Sequence, residues 1–121
     1  MTTDDFIKTM VLFFPGTKTD IEGHINEYGE RLDTIVIEDF IMPEVIGILK
    51  KDTDDELIKA VFGYFEDVSI YADKKLHDVF LSTALEILGN DRLILEKAKK
   101  YMGPITTALQ IEADAYIGRI N

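Results

Sequence analysis

Apolar residues recur along the chain at steps of three and four, the period of helices that each bury one face. Phe6, Met10, Phe13 and Phe14 form the first such stripe. It opens at Asp4-Asp5 and is stopped by Pro15-Gly16. A second stripe, Ile21, Ile25, Tyr28 and Leu32, belongs to a helix from Asp20 to about Gly29, with Thr19 as its N-cap. Thr34 to Ile37 is the one β-branched run. Without a partner strand it reads as a buried connector. Pro43 then opens a helix to Lys51 with Val45, Ile46 and Leu49 inward.

The second half carries clearer punctuation. Thr53-Asp54-Asp55-Glu56 has the form of a capping box and opens a helix whose inner face is Leu57, Ile58, Val61, Phe62, Phe65 and Val68. Asp73 caps the next, with Leu76, Val79, Phe80, Thr83, Ala84, Ile87 and Leu88 inward and Gly89 as a left-handed stop. Asn90 or Asp91 caps a helix bearing Leu93, Ile94, Ala98, Tyr101 and Met102. Gly103-Pro104 closes it, with positive φ expected at Gly103, and starts a last helix bearing Ile105, Leu109, Ala113, Tyr116 and Ile117.

These signals predict an all-α fold of six to seven short helices in one domain spanning residues 1–121. Asp54 to Gly89 and Asp91 to Ile120 read as two similar hairpins. The architecture is then either a HEAT-like stack of antiparallel hairpins or an irregular bundle. A chain of 121 residues supports one core. The absence of Cys excludes disulfides, thiol nucleophiles and thiolate metal sites.

Charge alters the picture more than composition does. The formal net charge is −10 at pH 7, which disfavours nucleic acid and anionic lipid and favours basic partners. The excess is local. Asp20 to Glu44 holds eight acids (Asp20, Glu22, Glu27, Glu30, Asp33, Glu38, Asp39, Glu44) and one base, Arg31, a balance of −7. Arg92 to Lys100 is net basic, as suits a helix C-terminus. The acidic start Met1-Thr2-Thr3-Asp4-Asp5 lacks the basic region of a signal peptide. The expected location is cytoplasmic.

Candidate chemistry is sparse. Asp20, His24 and Glu27 share a helical face and could supply part of a metal site; a His on a solvated acidic face is the plainer reading. Asp52 to Glu56 begins like a calcium loop, but Leu57 stands where the loop needs Gly, and Gly63 where it needs Glu. Glu38-Asp39 and Glu66-Asp67 are adjacent and so do not face one another as an acid–base pair. Ser69 and Ser82 lack a nucleophile elbow. No metal, cofactor or catalytic residue is expected.

Ala84 to Asp91, Leu95 to Pro104 and Ile25 to Glu30 together resemble a family of small, acidic bacterial helical proteins known as a domain of unknown function. The Tyr101-Met102-Gly103-Pro104 turn is the most specific element of the likeness. By analogy of size and charge, such proteins look like the immunity partners of bacterial toxins. The expectation is a non-enzymatic immunity protein, a monomer or weak homodimer, that neutralises a basic toxin domain. Its partner-binding residues would be Glu27, Tyr28, Glu30, Asp33, Glu38 and Asp39. The alternatives are a helical scaffold or adaptor for another protein and, third, an enzyme or small-ligand binder.

Overall fold

The computed structural model describes residues 1–118. Among them the chain forms seven helices and no strand. They are α1 (Thr3–Phe13), α2 (Thr17–Tyr28), α3 (Asp33–Val36, a π turn Ile37–Ile41 and Met42–Lys51), α4 (Asp55–Tyr71), α5 (Lys74–Val79, a π turn Phe80–Leu85 and Glu86–Leu88), α6 (Arg92–Lys99) and α7 (Pro104–Tyr116). No described helix is long and apolar enough to cross a membrane.

The irregular bundle, not the stack of hairpins, matches the packing. The π turn of α3 touches α1, α2 and the π turn of α5, while its last turns reach α4 and α6. The last helix packs chiefly on α4 and α5. Ile120, where the second hairpin was to end, lies outside the described residues. The core is continuous and centres on Phe6, Phe62, Phe65 and Phe80. Ring centroids lie 5.3 Å apart for Phe65 and Phe80, and 6.0 Å apart for Phe6 and Phe80, joining α1, α4 and α5. Such aromatic pairs add about 0.5–1.5 kcal/mol each beyond their buried area.

Thr34 to Ile37 is helix and not connector: Val36 and Ile37 are fully buried on α3. The helix runs through Pro43 because it widens one turn earlier. Pro43 has no N–H to donate, and the amide of Met42 bonds back to Ile37 O across five residues. The second π turn shifts the phase of α5 in the same way. It brings Leu85 into the core, off the stripe that a 3.6-residue period defines.

Several helix ends differ from expectation. The first helix is capped by Thr2, reciprocally with Asp5. The second starts at Thr17, and Thr19 is exposed within it. The cap of α4 is Asp54, whose carboxylate accepts from Leu57 N, and not Thr53. Gly89 is right-handed, at φ −80°. Asp73 and Asp91 cap α5 and α6 as expected. That cap turns Leu93 outward, 76% exposed, and Ile94, Leu95 and Ala98 inward.

The last helix turns a polar face inward: Thr106, Gln110 and Asp114 are buried with Ala113, while Ile105, Tyr116 and Ile117 are exposed. Hydrogen bonds seat it. Glu66 of α4 accepts from Ile105 N (3.0 Å), Thr106 N (2.8 Å) and Thr106 Oγ1 (2.9 Å). Gln110 Nε2 donates to Leu85 O at 2.9 Å. Glu66 thus caps a helix 40 residues away, matching its charge to the positive end of the dipole. Burial works against its ionisation, but the bonds from Thr106 and Ile105 outweigh it and hold the carboxyl below the usual glutamate range. Tyr101 donates to Asp55 at 2.6 Å, a bond that, with burial, pushes its hydroxyl up to about 12. Gly103 sits at φ −72°, not in the left-handed region. Its requirement is space: a Cβ there would lie 2.4 Å from Glu66 Cδ.

Gly103→Ala should therefore displace Glu66 and cost about 1–3 kcal/mol, the scale of lost charged hydrogen bonds. In a Glu66→Ala background the same change should be nearly neutral, and urea denaturation of the double-mutant cycle reads this coupling. Additive losses would show that Gly103 is needed for something other than the cap.

The Glu66 contribution should also depend on pH. The folded-state pKa lies below the unfolded one, so the stabilisation is complete above the usual glutamate range and is lost as pH falls through the lowered value. Wild type and Glu66→Gln should differ most near neutrality and converge in acid. A gap independent of pH would contradict the ionised cap.

Candidate functional site

The acidic stretch forms α2, the turn after it and the first half of α3; Asp20, Glu27 and Asp39 face the cleft between the two helices, and Glu22 the groove between α1 and α2. Asp20, Glu22, Glu27, Glu30, Glu38, Asp39 and Glu44 are all exposed. Two local features place them. Gly29 ends α2 in the left-handed conformation at φ 75°, which turns the chain towards α3. The buried faces are the other sides of the helices: Thr17, Ile21 and His24 on α2, and Val36, Ile37, Ile41, Met42 and Val45 on α3.

Most acids elsewhere on the chain are committed. Asp4, Asp55, Asp78 and Glu96 form ion pairs with Lys8, Lys59, Lys74 and Lys99. Asp5, Asp54, Glu66, Asp73 and Asp91 cap helices. On the α2–α3 surface only Asp33 is paired. It lies half-buried at the start of α3 and accepts from Arg31 Nε at 2.6 Å. The same guanidinium reaches Asp4 at 2.9 Å, so the one base of the stretch ties α1 to α3 and neutralises nothing further. Asp33 thus has a structural role, helping Arg31 tie α1 to α3. The other seven acids form no ion pair or side-chain hydrogen bond among the described residues.

A cleft of about 480 Å³ opens between α2 and α3, with Asp20, His24, Glu27 and Tyr28 on one wall and Asp39 and Phe40 on the other. The π turn supplies Asp39 and Phe40. Glu30 and Glu38 flank this region in sequence but do not line the cleft.

His24 is the residue that the sequence misplaces most. It is 5% exposed, not solvated, and its Nε2 accepts the Leu32 backbone N–H at 3.1 Å. Its ring lies 4.8 Å from that of Tyr28 and 6.0 Å from that of Phe40. No group of three His, Cys, Asp or Glu among the described residues could hold a metal ion. Tyr28 was assigned to the inner stripe, yet it is 54% exposed above His24, and Ile25 is exposed too. His24 lies inside in their place, and its ring accepts the Leu32 amide there. Of the other tyrosines, Tyr71 is exposed, while Tyr64 stacks on Phe6 with centroids 6.1 Å apart.

Residues 7–118 match the model of a family described as a domain of unknown function, DUF7674, and the chain belongs to that family. No curated protein and no solved structure matches it.

His24→Leu keeps the volume and removes the acceptor. It should cost about 1–3 kcal/mol by orphaning the Leu32 N–H, whereas Tyr28→Ala should cost clearly less. Chemical denaturation of both variants checks this. A His24→Leu protein as stable as wild type would show that the imidazole does not hold the α2–α3 turn.

Proposed function

We propose that this DUF7674 member is a binding protein that engages a basic protein partner through the α2–α3 surface, and that its role is immunity: neutralising a toxin domain by covering a cationic active site. It acts in the cytoplasm, without cofactor or metal, and catalyses no reaction. The observation that carries this reading is the contrast in commitment of its acids. Seven exposed carboxylates of α2, the turn after it and α3 form no ion pair among the described residues, while most others are paired or cap helices. Uncompensated like charge opposes compactness and creates a negative potential that attracts a basic surface. A toxin acting on phosphates would present such a surface, and an acidic inhibitor would both find it quickly and exclude its substrate. Tyr28, half exposed among these acids, has the amphipathic character of an interface anchor.

The adaptor reading draws on a different feature. An apolar groove of about 560 Å³ lies between α1 and α2, lined by Ile7, Val11, Leu12, Pro15 and Ile21. Leu12 is 80% exposed there.

The test is association kinetics with the partner isolated from the native host by pull-down. Combined Glu27→Gln, Glu30→Gln and Glu38→Gln should leave stability within about 0.5 kcal/mol of wild type. The association rate at low salt should fall by roughly tenfold or more and lose most of its salt dependence. Wild-type kinetics in this variant, together with loss of binding in Leu12→Glu, would assign the contact to the apolar groove instead.

A further inference from the structure

We propose that the α2–α3 cleft receives a single arginine side chain of the partner, held between Asp20, Glu27 and Asp39, while the His24 ring N–H binds a carbonyl of the same peptide. This rests on the preceding reading that a basic protein docks on this surface, and it names the chemistry of the contact.

Three observations converge. First, His24 is buried yet lines the cleft. Its Nε2 is an acceptor for Leu32 N–H, so the neutral ring carries its proton on Nδ1. That N–H has no hydrogen-bond partner among the described residues and is not one of the fully buried polar atoms, so it is accessible at the cleft. A donor accessible at a cleft can bond an acceptor that an occupant brings in place of water. Second, the three carboxylates around it form no ion pair among the described residues. An occupant that satisfies both offers positive charge and a carbonyl oxygen; the carboxylates repel phosphate and carboxylate ligands. A residue of a peptide chain supplies both. Third, the walls include the Tyr28 and Phe40 rings. Arginine fits them better than lysine, because its guanidinium is planar, weakly hydrated and able to stack on aromatic faces while donating to carboxylates from its edges. The cleft, about 480 Å³, is in the range of small-ligand sites and exceeds one side chain, so the adjoining peptide unit can enter with it.

The probe is N-acetyl-arginine methylamide, titrated into the full chain while the His24 ring nitrogens and the Tyr28 ring protons are followed by NMR. The expected result is a saturable shift at both residues in the millimolar range. The neutral citrulline analogue should bind at least about fivefold more weakly, and the lysine analogue should fall between them. Asp39→Asn combined with Glu27→Gln should abolish saturation. Tyr28→Ala, whose fold is monitored by the dispersion of the remaining resonances, should weaken binding severalfold. Shifts that are absent, linear with concentration, or equal for arginine and citrulline overturn the proposal. That failure is separable from failure of the docking surface. If the acid variants still slow partner association, the surface stands and the arginine pocket falls. If arginine saturates the cleft while partner kinetics ignore the acids, the docking reading falls.

Discussion

The burial of one face of α3 organises the molecule. Val36, Ile37, Ile41, Met42, Val45 and Leu49 are at most 1% exposed, and the helix that carries them packs on α1, α2, α4, α5 and α6. Each such side chain is worth about 1.5–3 kcal/mol when withdrawn from water, against about 0–1 kcal/mol for an exposed ion pair. The rotation of α3 about its axis is therefore decided by its apolar side. The acids Glu38, Asp39 and Glu44 point outward as a consequence, not as a choice of their own. Polar substitutions on that outer side can then change the surface charge without altering the fold.

The same constraint explains what the sequence made legible. The helices of the second half could be read because their caps are local: Asp73 and Asp91 bond amides two or three residues away. The acidic surface could be read because charge is a property of composition. The continuity of α3 could not. Its β-branched run argues against a helix and Pro43 reads as the start of a new one, and the π turn that joins them has no residue signature. Glu66 was equally hidden. Its partner amides are 39 and 40 residues on, so nothing near it in the chain marks it as a cap. The inner face of α7 was misread for the same reason. Apolar periodicity assumes that burial is hydrophobic, whereas Thr106 and Gln110 are buried by bonds to α4 and α5. His24 completes the pattern: its role depends on Leu32, which only the turn at Gly29 brings back to it.

The distribution of charge then separates two tasks. Capping and paired carboxylates stabilise helix ends and join α1 to α3 and α4 to α7. Seven of the remaining acids lie on α2, the turn after it and α3, where they form no ion pair among the described residues. A cleft with an open imidazole N–H in that surface gives the field a geometric focus. The Tyr101-Met102-Gly103-Pro104 turn belongs to the first task. Tyr101 grips the start of α4 and Gly103 leaves room for Glu66, so the most specific part of the family likeness is architectural.

The central claim is that the partner lies on the α2–α3 surface. Zero-length carboxyl-to-amine cross-linking of the chain to its isolated partner, with the linked residues identified by mass spectrometry, tests it most directly. Cross-links from Glu27, Glu30, Glu38 or Asp39 to partner lysines, suppressed by high salt, are the predicted result. Cross-links confined to the acids of α4 and α7, such as Asp67 and Glu112, with the α2–α3 carboxylates unmodified by the partner, would contradict it.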